Sequence, residues 1–294
     1  MILTNRYDPV IAPGNGALIV QAPFVDSVFH LSDFSAASEN AFVHALALAL
    51  IRRTEFTILH TGESREDWKH YPAVRPTLER WGLLQPGSPR SAVFERLALR
   101  VTKVSMKSRS PLAAMLHYLE SHPTDLIVLA TEGRTGLPRL HRPSVAEHIA
   151  LRSRSRTLFV SNRSRGFVSW QDGTLSLRRI LVPVDQCPNP LPALEYTAWM
   201  AAALPGPVEI ILLHVGATIE IAIPELPEIA DSTWKQEYRQ GDVVTELIRA
   251  AREYQVDLIA MTTAGQEGIL DVLRGSVTQQ VLRAAPCPLL AIPE

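Results

Sequence analysis

The sequence predicts an α/β protein made of two repeated halves, each a parallel sheet with helices on both faces. Three observations predict this. Four blocks recur in the same order: "VFHLSDFS" with "RILVPVDQC", "FTILHTG" with "IILLHVG", "DLIVLATEG" with "DLIAMTTAG", and "PSVAEHIALRSRSRTLFV" with "GSVTQQVLRAAPCPLLAI". The strand candidates are continuous apolar runs, which indicates burial on both faces of a parallel sheet. Amphipathic helical patterns lie between them, as strand–helix–strand crossovers require.

In the first half "SVFHLSD" reads as a strand ending at Asp33. The helix after it places Phe42, Leu46, Ala49 and Leu50 on one face. "EFTILHT", "VTKVSM", "DLIVLA" and "TLFVS" are the remaining strands, with helices over "PLAAMLHYLES" and "SVAEHIALRS". The second half repeats the series with "RRILVPVD", "LEYTAWMAAAL", "VEIILLHVG", "STWKQEYRQ", "DVVTELIRAAREY", "DLIAMT", "SVTQQVLRAA" and "PLLAIPE".

The halves differ in length between the second strand and the "DLI" strand. This places an insertion at 62–100, read as an extra helix or lid-like loop, most simply a surface elaboration. The polar, glycine-containing stretch 162–176 reads as a linker between domains at 1–161 and 177–294. Arg152, Arg154, Arg156, Arg163 and Arg165 near it read as a solvated helix end and linker, with an anion-binding surface as the alternative.

The chain has 294 residues, 46% of them hydrophobic and 20% charged, enough apolar material for a packed core and against disorder. A net charge of −1 gives no reason to expect nucleic acid as a partner. No basic segment followed by a long apolar run marks a signal peptide, and "AFVHALALALI" is too short to span a bilayer. No membrane association is therefore expected. Cys187 and Cys287 lack the spacing and histidine companions of a metal site, and two unpaired thiols suit the cytoplasm. His60 and His214, at equivalent positions, read as fold-supporting hydrogen-bonding groups. Cys187 has no neighbouring base to activate it.

In parallel α/β sheets ligands bind beyond the carboxyl ends of the strands. Asp185 and the loop 262–276 both lie at such ends. Gly265 and Gly275 let backbone approach a ligand, Ser276 adds a hydroxyl at a helix start, and helix amides there favour an anion. The plainer alternative is a tight turn with Ser276 as a helix cap.

These residues, from about Val28 to Val160 and from Arg179 to Pro293, resemble the universal stress protein family, and the whole chain resembles a tandem member of it. The resemblance implies a five-stranded parallel sheet in each half, of the Rossmann-like, adenine-nucleotide α-hydrolase-like type. Nucleotide-binding members carry G-x2-G-x9-G-[S/T] and an Asp at the end of the first strand. The resemblance places Pro183, Asp185, Val215, Thr262, Gly265, Gly275, Ser276, Val277 and Thr278 around an adenine nucleotide. ATP is the implied ligand, with Mg2+ accompanying it. Thr262 replaces the first motif glycine. The first half keeps Asp33, Gly133 and Ser144 but has Ala130 and Pro143 at the other two glycine positions, which predicts weaker binding there or none. No motif supplies a general base or a γ-phosphate arginine, so hydrolysis is expected to be slow at most. The resemblance also implies that the last strands, "TLFV" and "LLAI", pair with each other and make a built-in pseudo-dimer. The second reading is a non-nucleotide module that engages a protein partner through the 62–100 insertion or another surface of that pseudo-dimeric scaffold. Homodimerisation is compatible with both.

Overall fold

The structure is a computed structural model, and it describes residues 27–62, 69–131, 149, 155–162, 164–216, 226, 228–229, 231–263 and 277–294. The first half contains β1 (Ser27–Leu31), α1 (Ala36–Arg52), β2 (Glu55–Gly62), α2 (Val74–Arg80), α3 (Ala92–Leu97), β3 (Arg100–Lys107), α4 (Pro111–Ser121), β4 (Leu126–Thr131) and β5 (Arg156–Ser161). The second contains β6 (Arg179–Pro183), α5 (Leu191–Ala203), β7 (Glu209–Val215), β8 (Thr233–Arg239), α6 (Val243–Glu253), β9 (Leu258–Thr263), α7 (Val277–Ala284) and β10 (Leu289–Pro293).

The ten described strands form one sheet in the order β3-β2-β1-β4-β5-β10-β9-β6-β7-β8. Within each half every pairing is parallel. The halves meet through antiparallel β5 and β10, with Leu290 opposite Leu158. Each half therefore reverses its strand order at one place, between β1 and β4 and between β6 and β9.

Alternate residues of the buried strands face opposite layers, so continuous apolar sequence fills two cores. One core holds α1, α5 and the 69–99 region, and the other holds α4, α6 and α7. Both cores run across the β5–β10 junction. The repeated "DLI" aspartates have a common structural task. Asp125 Oδ2 accepts the Ser27 N–H at 3.1 Å, and Asp257 Oδ2 accepts Arg178 N–H at 2.8 Å and Arg179 N–H at 3.0 Å. Each carboxylate thus satisfies backbone donors where the first strand of its half begins.

Three expectations need correction. Helix α1 is buried on nearly all sides, since Ala37, Ala41, Ala45 and Ala47 are covered as well as Phe42, Leu46 and Ala49, while Leu50 is only half-buried. The reason is its place between sheet, linker and α5, where the Arg52 guanidinium lies 4.3 Å from the centre of the Trp199 ring. The described part of the insertion, 69–100, is no surface elaboration. Tyr71, Val74, Leu78, Trp81, Leu84, Ala92 and Val93 are buried in the same core as α1, four of them on α2 and α3. The stretch 162–176 is more than a polar tether. Its part from Phe167 to Ser176 folds back on itself, with Ser176 N–H bonded to Phe167 O at 2.9 Å and Ser169 N–H to Thr174 O at 3.0 Å.

That hairpin is docked on both sides. Phe167 is fully buried, and its N–H donates to His44 Nε2 at 3.0 Å while His44 Nδ1 donates to Asn40 O at 2.7 Å. Trp81 Nε1 and Arg80 Nε both donate to Trp170 O, at 3.1 and 3.0 Å. Two of the five arginines near the linker are also internal staples. Arg165 pairs with Asp257, and the Arg156 guanidinium lies 4.9 Å from the centre of the Tyr196 ring. Arg152, Arg154 and Arg163 lie outside the described residues.

Candidate functional site

The switch point of the second half lies between β6 and β9. Crevices at such points receive ligands in doubly wound sheets because the flanking crossovers run to opposite faces. The β6–β9 pairing sets Leu181 opposite Ile259. Carried forward, that register places Val184 level with Thr262 and Asp185 just beyond it. On the other flank Pro183 pairs with Leu213, and Val184 N–H bonds to Leu213 O at 3.0 Å, which brings Asp185 level with Val215. Pro183, Asp185, Val215 and Thr262 therefore share the carboxyl edge of three adjacent strands.

Their environments differ. Asp185 is exposed, and its Oδ1 accepts the Gln186 N–H at 2.7 Å. Val215 and Thr262 are buried. Thr262 Oγ1 has no hydrogen-bond partner among the described residues. A buried orphan hydroxyl is costly, so a polar atom that reached it would be bound favourably. His214 Nδ1 donates to Val184 O at 3.1 Å, tying β7 to the turn that carries Asp185. His60 does the same in the first half, donating to Ser32 O at 2.7 Å. Both histidines support the fold in the way their repeated positions predict.

Val277 is exposed and Thr278 half-buried at the start of α7. Gly265, Gly275 and Ser276 lie outside the described residues, as do Gly133 and Ser144 of the first half. Asp33 is described. It is exposed, and its Oδ1 accepts Ser35 N–H at 3.0 Å and Ser35 O–H at 2.6 Å beside the N-cap of α1. One carboxylate at the second-half edge carried no sequence signal. Glu294 N–H bonds to Thr263 O at 3.0 Å, and its Oε1 accepts Asn189 N–H at 3.4 Å. It comes beside the Asp185 turn through the β9–β10 register.

Among the described residues no group of three or more His, Cys, Asp or Glu side chains is placed to hold a metal ion. No described helix is long and apolar enough to cross a membrane. Cys187 is exposed; Cys287 is buried, and burial pushes its thiol up to about 12.

Comparison with known proteins agrees with this architecture. The family model described as universal stress protein family matches residues 31–161 and 217–293. A universal stress protein of Methanocaldococcus jannaschii is 36% identical over 56 residues, which span 19% of this chain and 33% of that relative's length. A universal stress protein structure from Archaeoglobus fulgidus superposes with a TM-score of 0.60 at 16% identity, covering 92% of this chain and 98% of that one. A functionally unknown protein from Pseudomonas aeruginosa superposes with a TM-score of 0.56 at 13% identity, covering 92% of each chain. With its architecture and most of its length matched, the chain belongs to the universal stress protein family.

Proposed function

We propose that the protein is a stress-response protein whose second half binds ATP or another adenine nucleotide for sensing or regulation. The observation that carries this reading is that Asp185, Val215 and Thr262 share the carboxyl edge of three adjacent strands at the β6–β9 switch point. An exposed carboxylate accepts hydrogen bonds from an amino or hydroxyl group. Thr262 stands where the family motif has its first glycine, and its hydroxyl supplies a hydrogen bond to the ribose in place of a close backbone approach. Phosphates would lie toward the amide-rich start of α7, where the helix dipole favours anions. Mg2+ would arrive with the phosphates and be held chiefly by them. The role of Gly265, Gly275 and Ser276 follows from the family resemblance. We assign no efficient turnover to the site.

Equilibrium titration of the full chain with a labelled ATP analogue tests the reading. Saturable binding of one nucleotide per chain is expected, weakened by Asp185→Ala and by Gly275→Pro. Absence of saturable binding at millimolar nucleotide would remove it. The protein-interaction reading would then stand, on the strength of the continuous two-domain scaffold.

A further inference from the structure

Phe34 directly follows Asp33 at the carboxyl end of β1, and its φ is 60°, a region that bulky side chains rarely enter. Such a conformation persists only where the surroundings over-determine it. The surroundings here are aromatic. The Phe34 ring stacks on the His60 imidazole, with centroids 4.0 Å apart and planes inclined by 24°. The ring of Tyr71 meets it edge-on at 5.2 Å. Both walls are anchored to backbone: His60 through Ser32 O, and Tyr71 by its O–H to Val104 O at 2.8 Å. Together they frame a flat slot over the carboxyl ends of β1, β2 and β3, and Phe34 fills it. In the second half the residue after Asp185 is Gln186, which is exposed and not in the left-handed region.

We infer that Phe34 is a resident plug, occupying in the first half the place where a planar heterocycle would stack. The slot it fills fits a flat aromatic ring, and the first half takes no base while Phe34 is in place. This holds whether or not the second half binds nucleotide.

The test is nuclear magnetic resonance of the full chain, with benzimidazole as probe and the His60 imidazole signals as a local reporter. In the parent chain the ring current of Phe34 shifts the His60 signals upfield, and millimolar benzimidazole leaves them unmoved. Phe34→Gly relieves the backbone and empties the slot. The upfield shift should fall and be restored saturably by the probe, at an affinity about tenfold or more above the parent's, as apolar cavities take up ring-sized ligands. Two results would overturn the inference: a parent chain whose His60 signals respond as strongly as the variant's, or a folded variant whose signals ignore the probe. If Phe34→Gly does not fold, Phe34→Leu decides. Leu lacks a flat aromatic face, so the upfield shift must shrink to what the Tyr71 ring, 6.4 Å from His60, leaves, and a shift unchanged from the parent's would overturn the inference.

Discussion

At the residue scale, two buried histidines weaken the fold in acid. Burial lowers His30 and His44 from 6.5 to about 4, and backbone hydrogen bonds to Val128 O and Asn40 O only partly offset it. The unfolded chain therefore takes up these protons at a higher pH than the folded one. Their contribution is intact above about pH 6.5 and is lost as the pH falls through that value toward about 4, by roughly 3 kcal/mol per histidine. Urea denaturation at pH 7.5 and at pH 5 should show this fall, and His44→Gln should flatten it. Thr262 offers a sharper separation of fold from function. Replacing its orphan hydroxyl by a methyl in Thr262→Val should leave stability unchanged or raise it by about 1 kcal/mol. The same variant should weaken ATP binding about tenfold, which one lost hydrogen bond explains. Thermal unfolding and nucleotide titration of one preparation read both outcomes.

At the scale of elements, the insertion and the linker hairpin form a clasp. Gly173 has a φ of +70°, and a Cβ on it would lie 2.5 Å from Trp81 Cδ2. Both facts oppose any side chain there, so Gly173→Ala should destabilise the protein by about 2 kcal/mol. Trp81→Ala should cost about 3–5 kcal/mol, through lost burial and the hydrogen bond to Trp170 O. The two losses should not add, because both act on one contact. Calorimetry of the single and double variants measures this. The clasp was only partly legible in sequence. The extra length of the first half and its tryptophans were visible, yet nothing in the order of residues shows that Trp81 and Gly173 meet.

At the scale of the whole molecule, the β5–β10 pairing makes one sheet of two domains. Its outer strands carry charge: Arg100, Lys103 and Lys107 on β3, and Lys235, Glu237 and Arg239 on β8. Charged edges discourage further strand addition, which explains why the sheet stops there. The halves share two cores, so the covalent link between them is not what holds them together. A protease site inserted between Gln171 and Asp172, both exposed at the tip of the hairpin, should yield a nicked chain that still elutes as one particle. Two separate species on size-exclusion chromatography would show that the linker, and not the sheet, carries the association.

Sequence alone determined the duplicated α/β fold, the strand series and the family, because continuous apolar runs and repeated blocks are local signals of burial and periodicity. It also singled out Asp185, since strand ends are where such sheets bind ligands, and the family resemblance marked Thr262 as the replacement of a motif glycine. Only the tertiary structure decided which way the halves join, that 69–99 is core, that Phe34 fills the first crevice, and that Glu294 stands at the second. Each of these is a contact between residues distant in the chain. Such contacts depend on register, crossing and side-chain direction, and no single segment carries that information.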